Sequence, residues 1–376
     1  MRQGPLAGLR VIEMAGLGPC PLAGQLLADL GADVIVIDRK SGRADKTDIN
    51  RRGKRSAAIN LKSAEGVDAV LRIVEGADVL LEGFRPGVME KLGLGPDDCQ
   101  QRNPRLIFGR MTGWGQDGPL AQTAGHDINY LAITGALHAF GKRSEPPVAP
   151  LNLGADYAGG TMFLLVGVLS ALFERSCSGK GQVVDAAMIE GVPALMGLIH
   201  GFLAKGLWTG EREDNLLDGA APFYRCYETA DGKFLSVGPL EPQFFAELVQ
   251  KTGLPAEQCG DQMDKSNWPQ RRGEYAALFK TKTRDEWMDI FEGSDACVAP
   301  VLAFDEAAAH PQNTTRGVFQ SLDGVMQASP APKFDRTPAG PPTAPEAPGT
   351  HTKEVLREAG LTASEIEALE GKGVLT

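Results

Sequence analysis

Histidine is scarce here, with five in 376 residues, and none combines with cysteine at zinc-ligand spacing. The six cysteines (Cys20, Cys99, Cys177, Cys226, Cys259 and Cys297) contain no CxxC pair. No metal site is therefore expected, and the thiols read as reduced, mostly buried cysteines of a cytosolic protein. Excess positive charge is lacking: the net charge of −10 argues against general binding to nucleic acid or a membrane surface. No long apolar run occurs at the start, where MRQGPLAGLRVIEMA has no apolar signal core, so no secretory leader is expected. The longest uncharged run, Tyr157–Phe173, is too short and too glycine-rich to prefer a membrane over a buried helix. The last residues, Gly373-Val-Leu-Thr376, are not a peroxisomal Ser-Lys-Leu signal, which makes a cytoplasmic location the expectation. No internal repeat is present.

What is present is an ordinary globular composition, 43% hydrophobic and 23% charged, in a chain long enough for two domains. Residues 9–15, 33–38, 78–84 and 105–113 read as strands, separated by helical segments. That alternation predicts parallel βαβ units, hence an open α/β, Rossmann-like large domain over 1–185. A helix is expected from Asp156 to Phe173, buried all round, and a connecting helix over 186–222. Two β-rich runs flank Asp231-Gly232, a strong hairpin signal, and open a smaller α+β domain over 223–318. Residues 319–350 read as a proline-rich connector, with seven prolines between 330 and 348, before the chain rejoins the large domain over 330–376. In the tail, Thr362 and Glu365 have the spacing of a capping box.

Three features carry candidate chemistry. The first turn, Gly16-Leu-Gly18-Pro-Cys-Pro21, with Asp38 closing the second strand, resembles a nicotinamide-binding fingerprint. Pro21 replaces the third glycine, so a tight strand-to-helix turn is the preferred reading. Residues 39–62 hold nine basic side chains: Arg39, Lys40, Arg43, Lys46, Arg51, Arg52, Lys54, Arg55 and Lys62. Such a run suits a diphosphate or 3′-phosphate, or is a solvated face paired with acids elsewhere; RNA is disfavoured by the acidic remainder. The third feature is the pair of proton-transfer candidates. His126 stands where a loop enters a helix, whereas His200 reads as a core residue. Asp156 opens the apolar helix, where it is either a helix cap or an acid whose proton affinity burial raises and the helix terminus lowers.

At these residues the chain resembles the α-methylacyl-CoA racemases, a branch of the family that also contains the class III CoA transferases. The likeness runs from about residue 6 to the C-terminal helix and includes VIEMAGLGPCP, RGKRSAAINLK, DVLLEGFRPGVMEKLGLGP, GRMTGWGQDGP, AGHDINYLAITG, APLNLGADYAGG and GTHTKEVL. The resemblance implies an isomerase that inverts the α-carbon of 2-methyl-branched acyl-CoA thioesters. It maps two catalytic bases onto His126 and Asp156, and places Glu241 as the partner that orients His126, with Asn152 and Tyr224 in the same network. Coenzyme A contacts carry over to Arg39, Ile59, Asn60, Leu61, Lys62, Gly83, Phe84, Arg85 and Lys91. No separate cofactor is implied, because coenzyme A is part of the substrate. An interlocked homodimer is implied as well, with no nucleic-acid or membrane partner.

The chemistry fits those residue types. A thioester α-proton is weakly acidic, so its removal needs a base on one face, an acid on the other and a donor for the enolate oxygen. Two bases permit inversion where one tends to return the proton to the face it left. A backbone N–H at a helix start, that of Asp127, suits the enolate. Glu241 would fix the imidazole tautomer. Met188 and Met196, on the apolar helix after Asp185, offer an adaptable surface for the acyl tail or are plain core. The alternative function is a class III CoA transferase, in which Asp156 acts as a nucleophile and forms an acyl anhydride.

Overall fold

The structure, a computed structural model, describes residues 2–376 and separates into two compact units. Residues up to Thr134, Pro150–Leu195 and Gly317–Thr376 form the first; Gly135–Ala149 and Met196–Arg316 form the second.

The first unit is built on six parallel strands: β1 Arg10–Met14, β2 Asp33–Asp38, β3 Arg55–Ala58, β4 Val79–Glu82, β5 Ile107–Thr112 and β6 Val183–Ala187. Their order, β3-β2-β1-β4-β5-β6, is that of a doubly wound sheet. The central strands are buried on both faces, so they read as nearly continuous apolar runs. One face holds Ile12, Ile35, Leu80 and Phe108 against helix α2 (Ala64–Glu75), together with Val355, Leu356 and Ile366 from the C-terminal helices. On the other face lie α1 (Pro19–Asp29), a π-helix over Leu153–Thr161, α6 (Met162–Ser178) and α7 (Met188–Leu195). Short helices α3 (Val88–Lys91), α4 (Pro96–Arg102) and α5 (Asp127–Ile133) follow β4 and β5.

Several sequence expectations change. Strand β3 lies inside the basic run, where charge masks the small, buried Ser56-Ala57-Ala58. The helix of 156–173 starts at Leu153 and is not buried all round, because Val166 and Phe173 are exposed. The run Leu153–Ser178 is long and apolar enough to cross a bilayer, yet Leu164, Val168 and Ala171 bury against the sheet. The connecting helix of 186–222 is α7, a break at Met196 and α8 (Gly197–Ala204), followed by irregular chain; His200 on α8 is exposed rather than core. Residues 319–328 of the connector are a hairpin, Phe319–Leu322 with Val325–Ala328. Its two-residue turn is Asp323-Gly324, both at positive φ, an Asp-Gly signal hidden by the proline count around it. Four of the six cysteines are exposed; only Cys20 and Cys99 are buried.

The second unit contains α8 and a three-stranded antiparallel sheet: β7 (Arg225–Glu228), β8 (Phe234–Val237) and, after the intervening helices, β9 (Val298–Val301). The β7–β8 hairpin turns at Gly232, which has φ +74°. Helices α9 (Pro242–Thr252), α10 (Trp268–Phe279) and α11 (Arg284–Phe291) pack on it through Phe223, Tyr227, Phe245, Tyr275 and Trp287. Residues 135–149, read from sequence as large-domain chain, pack here, with Arg212 donating to the carbonyls of His138, Lys142 and Glu145.

Candidate active site

The first unit has a cavity of about 470 Å³ beyond the C-terminal ends of β1, β4 and β5. That is where strand order reverses between β1 and β4, the usual ligand position in such sheets. Its wall comprises Gly18, Pro19 and Cys20 after β1, Gly83, Phe84 and Arg85 after β4, Thr112, Gly113 and Trp114 after β5, and His126, Tyr130, Asp156 and Met188.

The glycine turn serves this cavity in a way unlike a dinucleotide site. Pro19 and Pro21 remove two N–H groups from the first turn of α1. A pyrophosphate would find few donors there. Asp38 is occupied by Arg51, at 3.1 and 2.6 Å, and by the Ser56 hydroxyl, so it has no free face for a ribose. The close approach falls at Gly24, where a Cβ would strike the buried Glu13 carboxylate, itself paired with Lys54. A Cβ added at Gly18 would come into van der Waals contact with the Asp156 carboxylate, at 3.8 Å.

His126 is the N-cap of α5, exposed to the cavity, with extended backbone and its N–H donated to the Asn129 side chain at 3.1 Å. Its position is fixed from behind. The Tyr130 hydroxyl donates to the Gly125 carbonyl, and a side chain on Gly125 would meet both Tyr130 and Trp114 within 2.8 Å. The two rings meet edge to face, 4.7 Å between centroids. Among the described residues, the Asp127 N–H at the start of α5 meets no acceptor.

Asp156 is not a cap. It lies inside the π-helix, an element that often marks functional positions. Asp127, buried next to His126 in the chain, accepts the N–H groups of Ala155 and Asp156 at 2.7 and 2.9 Å. Burial raises the Asp156 carboxyl above the ordinary carboxylate range, and the Asp127 charge adds to the rise. A hydrogen bond with the Asn152 side chain and the His126 charge act in the opposite direction. The competition left open by the sequence is thus won by burial.

Two charged residues in otherwise apolar strands shape the loop after β4. Glu82 and Arg110 pair across β4 and β5 at 2.9 Å, and Arg110 continues to Glu90 at 2.8 Å. The other Glu82 oxygen accepts the Phe84 N–H at 2.7 Å, which sets the turn through Gly83, Phe84 and Arg85. Neither residue was singled out from sequence, although a charge within VLLE and another within IFGRMT were visible signals.

The structure sorts the basic run. Arg51, Arg52, Lys54 and Arg55 are committed to Asp38, Asp29, Glu13 and Asp33, and Lys46 pairs with Asp323. Among the described residues, Arg39 and Lys62 have no acidic partner, and the same holds for Arg85 and Lys91. Arg39 follows β2. Ile59 is buried, and Asn60 accepts the Lys62 N–H at 3.1 Å, turning the chain after β3. The C-terminus closes over this edge, with the Asn60 N–H on the Val374 carbonyl at 2.8 Å.

Glu241 and Tyr224 belong to the second unit. Glu241 is the exposed N-cap of α9; desolvation raises the Cys297 thiol, and the Glu241 charge adds to the rise. Tyr224 is half-buried against that unit's core. Met188 lines the cavity, whereas Met196 is in the second unit.

The family model for CoA-transferase family III matches residues 6–352. The chain belongs to that family. Among its relatives it is 47% identical to the α-methylacyl-CoA racemase of Mus musculus, over 98% of this chain and 97% of that one. It is 44% identical to the human α-methylacyl-CoA racemase, over 98% and 97%. Among solved structures, a CAIB/BAIF family protein from Brucella suis superimposes with a TM-score of 0.80 at 25% identity, covering 95% of this chain and 100% of that one. The six-stranded parallel sheet and its helices are thus the architecture of the family.

Proposed function

We propose that this protein inverts the α-carbon of 2-methyl-branched acyl-CoA thioesters by proton transfer between His126 and Asp156, through an enolate. The observation that carries this reading is that both side chains face one cavity at the topological switch of the sheet. Full-length identity to two racemases supports an isomerase over a transferase.

In one direction the neutral imidazole of His126 takes the α-proton, and the C–H electron pair moves into the enolate. Asp156 then delivers its proton to the opposite face. In the other direction the roles exchange. The Asp127 N–H supplies the enolate oxygen with a donor. Each positioned acid or base contributes about 10²–10⁴-fold. Glu241 orients the His126 ring within a homodimer. Exposed Val166 and Phe173 on α6, and Leu198 and Leu203 on α8, support such a pairing of copies. Arg39, Lys62, Arg85 and Lys91 take the phosphates of coenzyme A, with Asn60 and Leu61 beside the adenine and Gly83 and Phe84 along the pantetheine, while Ile59, fully buried, supports that turn from the core. No further cofactor takes part.

The test is chiral analysis of a single 2-methylacyl-CoA enantiomer incubated with the protein alone. Approach to equal amounts of both enantiomers is expected. An unchanged enantiomer, with transfer of coenzyme A once a free carboxylic acid is added, would replace this reading with the transferase.

A further inference from the structure

Asp127 is 5% exposed and makes two hydrogen bonds that link the neighbourhoods of both bases. Its Oδ2 accepts the amides of Ala155 and Asp156, whereas its Oδ1 meets no donor among the described residues. Those amides are the third and fourth residues of the helix Leu153–Thr161, so neither has an acceptor within that helix. Asp127 therefore caps, from α5, the helix that carries Asp156, while the peptide on its own N-terminal side belongs to His126.

We propose that the Asp127 carboxylate is a positioning residue of the proton-transfer pair, fixing the spacing of His126 and Asp156 by holding the Asp156 amide from the position next to His126. This rests on the two-base reading of the site. The carboxylate also acts through its charge. The titratable or charged groups facing Asp156 are His126, Asp127 and Tyr130 from α5, Cys20 from α1 and Arg85 from the loop after β4, while β5 and α7 present Met111 and Met188. Asp127 is the one carboxylate among these neighbours, so it favours the protonated form of Asp156.

Two variants separate spacing from charge. Asp127→Asn keeps an oxygen for both amides and removes the charge, and its NH2 replaces an oxygen that has no donor to lose. For the enantiomer whose α-proton Asp156 removes, inversion should persist with the acid limb of the kcat/KM profile moved down by about one pH unit. Asp127→Ala removes the cap and should lower kcat by about 10²-fold with little change in KM. A third measurement needs no variant: in the wild-type protein the Ala155 and Asp156 amides should exchange with solvent slowly. An acid limb that stays in place in Asp127→Asn overturns the electrostatic part. Amides at 155 and 156 that exchange at open-chain rates overturn the positioning part, even if Asp127→Ala does not fold. Wild-type inversion is read first in the same assay. Its absence removes the two-base reading itself, whereas its presence leaves the variants to judge Asp127 alone.

Discussion

The hydroxyl of Tyr130 donates to the carbonyl of Gly125 at 2.5 Å, so the residue before His126 is held by a ring five positions after it. A Cβ on Gly125 would lie 2.7 Å from that ring and 2.8 Å from Trp114. Gly125→Ala should therefore shift the His126 backbone, destabilise the protein by about 1–3 kcal/mol and lower kcat by about 10²-fold. Urea unfolding and steady-state kinetics measure the two effects; a fully active, fully stable variant contradicts this packing.

His126→Ala removes one of two bases. Inversion should disappear, while deuterium from D2O should still enter the one enantiomer whose α-proton faces Asp156, with retention of configuration. Proton NMR of each enantiomer in D2O reads this directly. Racemisation near the wild-type rate would end the two-base account.

Asp156→Asn should trade activity for stability. The folded protein holds the Asp156 proton more tightly than the unfolded chain, so ionisation at neutral pH costs stability. That cost is absent below the ordinary carboxyl range, where both states are protonated, and appears as pH rises through the elevated value. Asn removes it, so the Tm of the variant should exceed wild type by a small margin at pH 7 and converge with it under acid conditions. Calorimetry across pH checks the sign; a Tm advantage confined to low pH would be the wrong one.

The basic run separates into two kinds of lysine and arginine. Burial pushes the Glu13 carboxyl up and the Lys54 ammonium down, and each is held by the other and, for Lys54, by the Pro21 carbonyl at 2.8 Å. Lys54→Met leaves Glu13 unpaired and should destabilise the fold by about 3–5 kcal/mol. Arg39→Ala should leave the urea midpoint unchanged and weaken binding of the CoA thioester, as calorimetric titration would record. Equal behaviour of the two variants would erase the distinction.

The parallel strands were legible because apolar runs buried on both faces have no competing reading, as in DVIVID. β3 was not, since Arg55 and its charged neighbours carry the signal of a surface while pairing with acids from β2, α1 and the C-terminal helix. His126 and Asp156 were legible only through resemblance. Alone, each has an ordinary explanation as a loop histidine or a helix cap. Asp127 was read for its N–H; that its side chain caps a helix 28 residues away depends on tertiary contact, which spacing does not encode.

The most direct test of the central claim is isotopic. A single enantiomer of a 2-methylacyl-CoA is converted in D2O, and deuterium at the α-carbon is counted in the inverted product at low conversion. Transfer between His126 and Asp156 predicts one solvent-derived deuterium in every inverted molecule, because the incoming proton comes from the opposite base. Inverted product that keeps its original α-proton would contradict the account.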